Sequence, residues 1–404
     1  MRLVVQKFGG SSVKDTEKIK NAAKIITDTY SAGNNVIAVV SAQGDTTDEL
    51  LEKARAINTL PSKREMDVLL STGEMISMSL LAMAIEDMGF SVVSLTGWQA
   101  GFLTDRTHTN ARLRRINTER IKSEIDKKKI VIVAGFQGVN RNDDISTLGR
   151  GGSDTSAVAI AASMHADLCQ IYTDVDGVYT ADPRIVPSAK RLNEITFDEM
   201  LELATLGAGI LHNRSVEMAK KYNIKLEVLS SMTKMPGTIV KEVVKVEKML
   251  IKGVTKDDNT VRITLEDIHD TPGIAFKIFS ALAKEKINVD IIVQTAERDN
   301  KMDMSFTTTS ENTNMAVSVL EELLPVIGDE AAIKIDRDVS KVSIVGAGMQ
   351  TNSGIASKMF EALGSSNINI KTISTSEIKI SVLVEKSDSK RAVEALHTAF
   401  IENE

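Results

Sequence analysis

Short aliphatic and β-branched runs at 3–7, 36–40, 92–95, 130–134, 168–173 and 226–230 punctuate the first part of the chain, each followed by Gly, Ser, Thr or Asp. Helix-length segments lie between them, at 16–29, 65–88, 118–126 and 154–164. Strands that read as unbroken apolar runs are buried on both faces. Their alternation with helices predicts an α/β fold with a mostly parallel central sheet flanked by helices. Ligands in such folds bind beyond the carboxyl ends of the strands. The loops after Lys7, Val40, Ala134 and Thr173 therefore belong to one rim.

From about 240 to 260 the chain turns rich in Lys, Glu and Asp, and a repeat follows. Thr271-Pro-Gly-Ile-Ala-Phe-Lys-Ile-Phe-Ser-Ala-Leu, then Ile287-Asn-Val, returns as Asn352-Ser-Gly-Ile-Ala-Ser-Lys-Met-Phe-Glu-Ala-Leu, then Ile368-Asn-Ile, with Gly273 and Gly354 standing 81 residues apart. The pattern predicts a first domain over 1–245 and two similar modules over 261–338 and 339–404. Each module reads as a small ferredoxin-like sheet with helices on one face. The second is one strand short. The apolar run at 250–255, within 249–256, is available to complete it, which would insert the first module inside the second.

The length of 404 residues allows two or three domains. With 49 Lys plus Arg against 55 Asp plus Glu, the net charge of -6 gives no reason to expect nucleic acid or an anionic membrane as partner. The single Cys169 has no partner for a disulfide within the chain and no neighbours for a zinc site, so it reads as a small buried hydrophobe. The first residues are too short and too charged for a signal peptide, and no uninterrupted apolar run reaches ~18 residues, so a cytoplasmic protein without a membrane span is expected. The sequon at Asn213 is then a chance match.

Five polar segments interrupt this frame. Lys7-Phe-Gly-Gly-Ser-Ser12 follows a strand and precedes a helix, where glycines let backbone amides approach an oxyanion and Lys7 can neutralise a phosphoryl group. Gly149-Arg-Gly-Gly-Ser-Asp154 opens another helix and combines three glycines with a cation, a hydroxyl and a carboxylate, more than a structural turn requires. Thr173-Asp-Val-Asp-Gly-Val-Tyr179-Thr-Ala-Asp182-Pro-Arg184 is a long polar loop after a strand. Its Asp174-Val-Asp176-Gly177 spacing hints at calcium, but the remaining EF-hand ligands are missing, and a nucleotide pocket suits it better. Ser41 to Thr47 adds polar groups after the second strand. Glu74 sits among Leu69, Leu70, Met75 and Ile76, where a carboxylate is costly unless it meets a cation.

Together these segments resemble the aspartokinases of the amino acid kinase family, whose catalytic domain is followed by paired ACT domains, and the likeness spans nearly the whole chain. The resemblance implies transfer of the γ-phosphoryl group of ATP, with Mg²⁺ on the nucleotide, to the β-carboxylate of L-aspartate, the first step towards lysine, threonine and methionine. By that resemblance Lys7 and Asp154 are catalytic, with Asp154 orienting Lys7. Lys7, Gly9, Gly10, Ser11, Thr173, Asp174, Tyr179, Asp182 and Arg184 hold ATP, and Ser41, Thr47, Glu74, Arg150 and Ser153 hold aspartate. Arg150 would grip the α-carboxylate and Glu74 the α-ammonium. No separate metal site in the protein is implied. Gly209 departs from the pattern, since many members carry there a Lys that reaches the nucleotide; Arg214 is the neighbouring cation.

The resemblance also implies lysine and/or threonine as allosteric inhibitors, bound around Asp270, Gly273, Ile274, Ala275 and Gln294 of one module and Asn352, Gly354, Ile355, Asn367, Asn369 and Ile370 of the other. Assembly would be a homodimer through the ACT domains, or an α2β2 enzyme if the tail is also made from an internal start at Met249. Rival readings stay open. A kinase for acetylglutamate or glutamate would share the phosphate loops without needing the doubled tail. A non-catalytic amino acid sensor would follow if Gly209 disabled nucleotide binding, although Lys7, Arg150 and Asp154 argue against it. A dinucleotide fingerprint at Val345-Gly-Ala-Gly348 lacks its third glycine, replaced by Thr351.

Overall fold

The computed structural model describes residues 1–205, 211–233, 235–243, 250–295, 300–328, 330–350 and 352–402. The chain forms two compact units, Met1–Tyr179 with Lys190–Val246, and Thr180–Ala189 with Glu247–Glu404. Gly209 and Met249 lie outside the described residues.

The first unit runs β1 (Leu3–Phe8), α1 (Thr16–Ser31), β2 (Asn35–Val40), α2 (Thr46–Ile57), α3 (Lys63–Asp87), β3 (Val92–Leu95), β4 (Phe102–Thr104), β5 (Leu113–Ile116), α4 (Glu119–Asp126) and β6 (Ile130–Ala134). It continues through β7 (Gln137–Val139), β8 (Ile145–Thr147), α5 (Gly152–Ser163), β9 (Leu168–Thr173), β10 (Glu194–Thr196), α6 (Phe197–Thr205), α7 (Asn213–Lys221), β11 (Leu226–Ser230) and β12 (Thr238–Lys241). Eight strands form the central sheet in the order β10-β12-β11-β9-β1-β2-β6-β3. Every pair is parallel except β11 with β12. Val5, Ile37, Ala38, Val39, Ile132 and Val133 are fully buried, as strands covered on both faces require.

The carboxyl end of β1 lies mid-sheet, flanked by β2 and β9, so Lys7 emerges at the centre of the rim. A smaller sheet, β5-β4-β7-β8, stands apart from the central one. Helix α3 is long and apolar enough by composition to cross a membrane. Here it is a core helix: Met78, Leu81 and Ile85 join the central cluster, and Asp67 and Glu74 are buried polar groups along it.

The second unit contains β13 (Gly253–Asp257), β14 (Thr260–His269), α8 (Ile274–Lys284), β15 (Ile292–Gln294), β16 (Lys301–Thr309), α9 (Thr313–Ile327) and β17 (Ala332–Asp336). These are followed by β18 (Val339–Val345), α10 (Ile355–Ser365), β19 (Thr372–Thr375), β20 (Lys379–Glu385) and α11 (Ser389–His397). Two four-stranded sheets result, β15-β16-β14-β17 and β13-β18-β20-β19. β13 pairs antiparallel with β18, from Gly253 opposite Val345 to Asp257 opposite Lys341, so the first module lies between the opening strand of the second and its remainder. Gly273 and Gly354 occupy matching positions, each capping a helix at φ +94° and +91°.

A cut at 245 does not describe the units fully, because Thr180–Ala189 packs in the second. Ala181 and Val186 join the apolar cluster of Val254, Val342, Ile344, Met359, Val382 and Leu396. Val254 N donates to Thr180 O at 2.7 Å, and Thr180 Oγ1 lies 2.9 Å from buried His397 Nε2. Ion pairs join the two repeats: Lys341 Nζ to Asp290 at 2.5 Å, and Lys371 Nζ to Asp336 at 3.0 Å.

Candidate active site

Lys7, Gly10, Ser41, Thr47, Glu74, Arg150, Ser153 and Asp154, drawn from four segments of the first unit, line one cleft of about 290 Å³ together with Gly44 and Phe136. A larger hollow of about 430 Å³ at Leu201, Glu217, Lys220, Lys221, Asn223 and Glu242 carries balanced surface charges without converging chemistry.

Lys7 Nζ meets Asp154 Oδ1 at 2.6 Å, both side chains nearly buried. Asp154 stands in the first turn of α5, whose helix end favours negative charge, so the carboxylate fixes the ammonium where a phosphoryl group would arrive. The turn after β1 is anchored from below: Gly9 N donates to Tyr172 O at 3.2 Å, and Phe8 and Tyr172 rings stack at 4.7 Å. That bond engages the amide of Gly9 within the protein, contrary to the expectation that it faces phosphate.

Glu74 is 4% exposed. Ala42 N donates to its Oε1 at 3.0 Å, while Oε2 is buried without a partner. Burial pushes its carboxyl up to about 8, only partly offset by the amide bond. The approach that makes this contact depends on Gly73, where a Cβ would stand 2.8 Å from the Ala42 Cβ. An unsatisfied buried acceptor beside an exposed Arg150 is suited to a ligand that brings a cation and an anion together.

Sequence reasoning misses His212, whose imidazole lies against Gly151 so closely that a Cβ there would be 2.3 Å away; at φ +70° the position favours glycine as well. Burial chiefly lowers the His212 pKa, with Arg214 and Arg150 adding to that and Asp154 opposing it. Arg214 itself donates through Nη1 to Leu148 O at 3.0 Å and through Nη2 to Ala111 O at 2.9 Å. Its guanidinium is committed to these two backbone carbonyls. Asp67 is also missed, although a carboxylate inside an apolar helix is the signal that marks Glu74.

The long polar loop divides. Thr173 Oγ1 bonds Asp174 Oδ1 at 3.0 Å, and Tyr179 OH approaches Asp176 Oδ2 at 3.4 Å, within the first unit. Asp182 and Arg184 lie in the second unit and form a forked pair, at 2.7 Å between Nη2 and Oδ2, which holds the Asp182 carboxyl below its usual range. Among the described residues no cluster of three or more His, Cys, Asp or Glu could hold a metal ion.

In the second unit, Ile274 and Ile355 are buried under their helices, whereas Asp270, Ala275, Gln294, Asn352, Asn367 and Asn369 are exposed and Ile370 is half-buried. Asn352 Nδ2 donates to Gly348 O at 2.9 Å.

The profile of the Amino acid kinase family matches residues 2–230, and that of the ACT domain matches 263–324 and 342–400. Aspartokinase 2 of Bacillus subtilis (strain 168) is 50% identical over 401 residues, covering 99% of this chain and 98% of its own. E. coli aspartokinase III in complex with aspartate and ADP (R-state) superposes with a TM-score of 0.84 at 25% identity, over 98% of this chain and 99% of that one. The same enzyme in complex with lysine and aspartate (T-state) gives 0.78 at 26% identity, over 99% of each chain.

Proposed function

The chain belongs to the amino acid kinase family, among its aspartokinases, and on that premise we propose that it phosphorylates the β-carboxylate of L-aspartate with ATP. The observation that carries this reading is the pairing, in one cleft, of an ordered Lys7 with a buried, half-satisfied Glu74. One oxygen of the β-carboxylate attacks the γ-phosphorus as the bond to the ADP oxygen breaks, giving 4-phospho-L-aspartate and ADP. A carboxylate is already a nucleophile near neutrality, so no general base is needed, and catalysis reduces to alignment and neutralisation of charge.

Lys7, held by Asp154, meets the transferring group, and the turn at Gly10 and Ser11 carries phosphate oxygens. Arg150 takes the α-carboxylate as a bidentate pair, and Glu74 Oε2 takes the α-ammonium, losing its proton as it does so. Ser41, Thr47 and Ser153 complete the aspartate subsite, with Thr173, Asp174 and Tyr179 along the nucleotide. Mg²⁺ bound with ATP would supply neutralisation at the phosphates.

The ACT repeats bind lysine, threonine or both as feedback inhibitors of a cytoplasmic enzyme that opens the route to those amino acids and methionine. The capping positions at Gly273 and Gly354 support amino acid carboxylate sites, and assembly is a homodimer or α2β2 through these repeats. A coupled ADP-release assay with aspartate, glutamate and acetylglutamate, repeated with lysine and threonine singly and together, tests the reading. Turnover with aspartate alone among the three is expected; its absence overturns the proposal.

A further inference from the structure

The loop that carries Arg150 has a foundation that the reaction itself does not explain. Asp67, near the start of α3, is fully buried and accepts four hydrogen bonds: from His108 Nδ1 at 2.7 Å, from Thr147 Oγ1 at 2.5 Å, and from Thr109 N, shared by both oxygens at 3.0 Å. These donors come from two segments, the connection between β4 and β5 and the strand β8. Ala111 N donates to Thr147 O at 2.8 Å and ties the same two segments together. From α7, Arg214 spans them again through Ala111 O and Leu148 O. Gly149 follows directly, packed so closely on this connection that a Cβ there would stand 3.1 Å from Thr109 O and Asn110 Oδ1, and Arg150 is the next residue.

We propose that Asp67 and Arg214 are positioning residues that hold the base of the Gly149–Asp154 loop and so aim Arg150 at the substrate α-carboxylate. The inference rests on the aspartokinase reading for the identity of that carboxylate, but not for the clamp itself. A carboxylate accepts at two segments and a guanidinium donates at two, so each spans the seam with charge-assisted bonds on a planar fork. Neither reaches the cleft lining. Removing one charge leaves buried donors or carbonyls without partners next to the loop, and the error is inherited by a side chain one or two residues on.

The test uses the full chain with Asp67→Asn, Arg214→Lys and Arg214→Ala. The aspartate KM should rise about tenfold or more, with the ATP KM within about twofold and kcat less affected than the aspartate KM. Backbone hydrogen exchange across 146–152 should accelerate about tenfold while β1 and β9 keep their protection. Millimolar guanidinium added to Arg214→Ala should restore part of that protection. Equal rises in both KM values with uniformly faster exchange would mean that the residues only stabilise the fold, and unchanged exchange at 146–152 would also overturn the inference. If Asp67→Asn does not fold, Arg214→Lys decides the question. If the unsubstituted protein fails to turn over aspartate, the functional reading falls, and the exchange data still decide whether the clamp holds the loop.

Discussion

Buried charge is treated differently in the catalytic cleft and in the paired repeats. In the cleft, Glu74 is almost fully buried and one of its oxygens has no partner. In the repeats, Lys341 is 5% exposed but reaches Asp290 of the other module, and Lys371 lies between Asp336 and Glu385. A buried acid without a partner is tolerated in its protonated form where a ligand can complete it, and a charge that is answered fixes how two similar modules dock. The difference separates a binding site from a seam, even though both bury ionisable groups.

The largest effect is expected at Lys7 and Asp154, cleft charges that answer each other within the protein. Asp154→Asn keeps the shape and loses the hold on Lys7, so kcat should fall by about 10²–10³ with a modest change in ATP KM, read by steady-state kinetics. Next is Glu74→Gln, which should raise the aspartate KM about 100-fold, the scale of one lost charged hydrogen bond. The same carboxyl gives a pH signature. Its folded pKa of about 8 lies above the ordinary 4.5, so the folded apo protein holds the proton more tightly. Its stabilising contribution is therefore complete below about 4.5 and is lost as pH rises to 8. Thermal unfolding of the ligand-free protein should show this decline, and Glu74→Gln should lack it. On the proposed role of Glu74 aspartate binding needs the ionised form, so the aspartate KM should increase by about tenfold for each pH unit below 8.

Gly73→Ala moves the carboxylate instead of removing it; the aspartate KM should rise about three- to tenfold, and the ATP KM should stay unchanged. The smallest effect is expected at the seam. The Asp290 side chain is 43% exposed and regains water when Lys341→Met removes its partner. The cost in thermal unfolding should be about 1 kcal/mol or less, with basal turnover intact and, on the proposed feedback by lysine or threonine, a shifted half-inhibiting concentration.

The central strands are legible in the sequence because burial on both faces writes them as unbroken apolar runs. The strands β4, β5, β7, β8, β10 and β12 are not, since three or four residues with polar members carry no period. Glu74 is legible for the same reason that its site works, a carboxylate misplaced in an apolar helix. Asp67 carries that signal seven residues earlier, but its role depends on His108, 41 residues away. The commitment of Arg214 depends likewise on Leu148, 66 residues away. Distances of that kind leave no local pattern. The transfer of Thr180–Ala189 to the second unit rests on Ala181 and Val186, with Ile185 and Ala189 packed beside them, in a stretch too short and too broken by Pro183 and Pro187 to show a period.

The nesting of one repeat inside the other bears on how the chain is made. As it leaves the ribosome, β13 waits through residues 258–338 before its neighbour β18 exists, while the first module can close on itself in the interval. Thr180 waits longer still, until His397 emerges. Synthesis therefore delivers a finished catalytic sheet and a finished inner repeat first. The outer repeat assembles last, as the clasp that closes over β13 and the Thr180 segment.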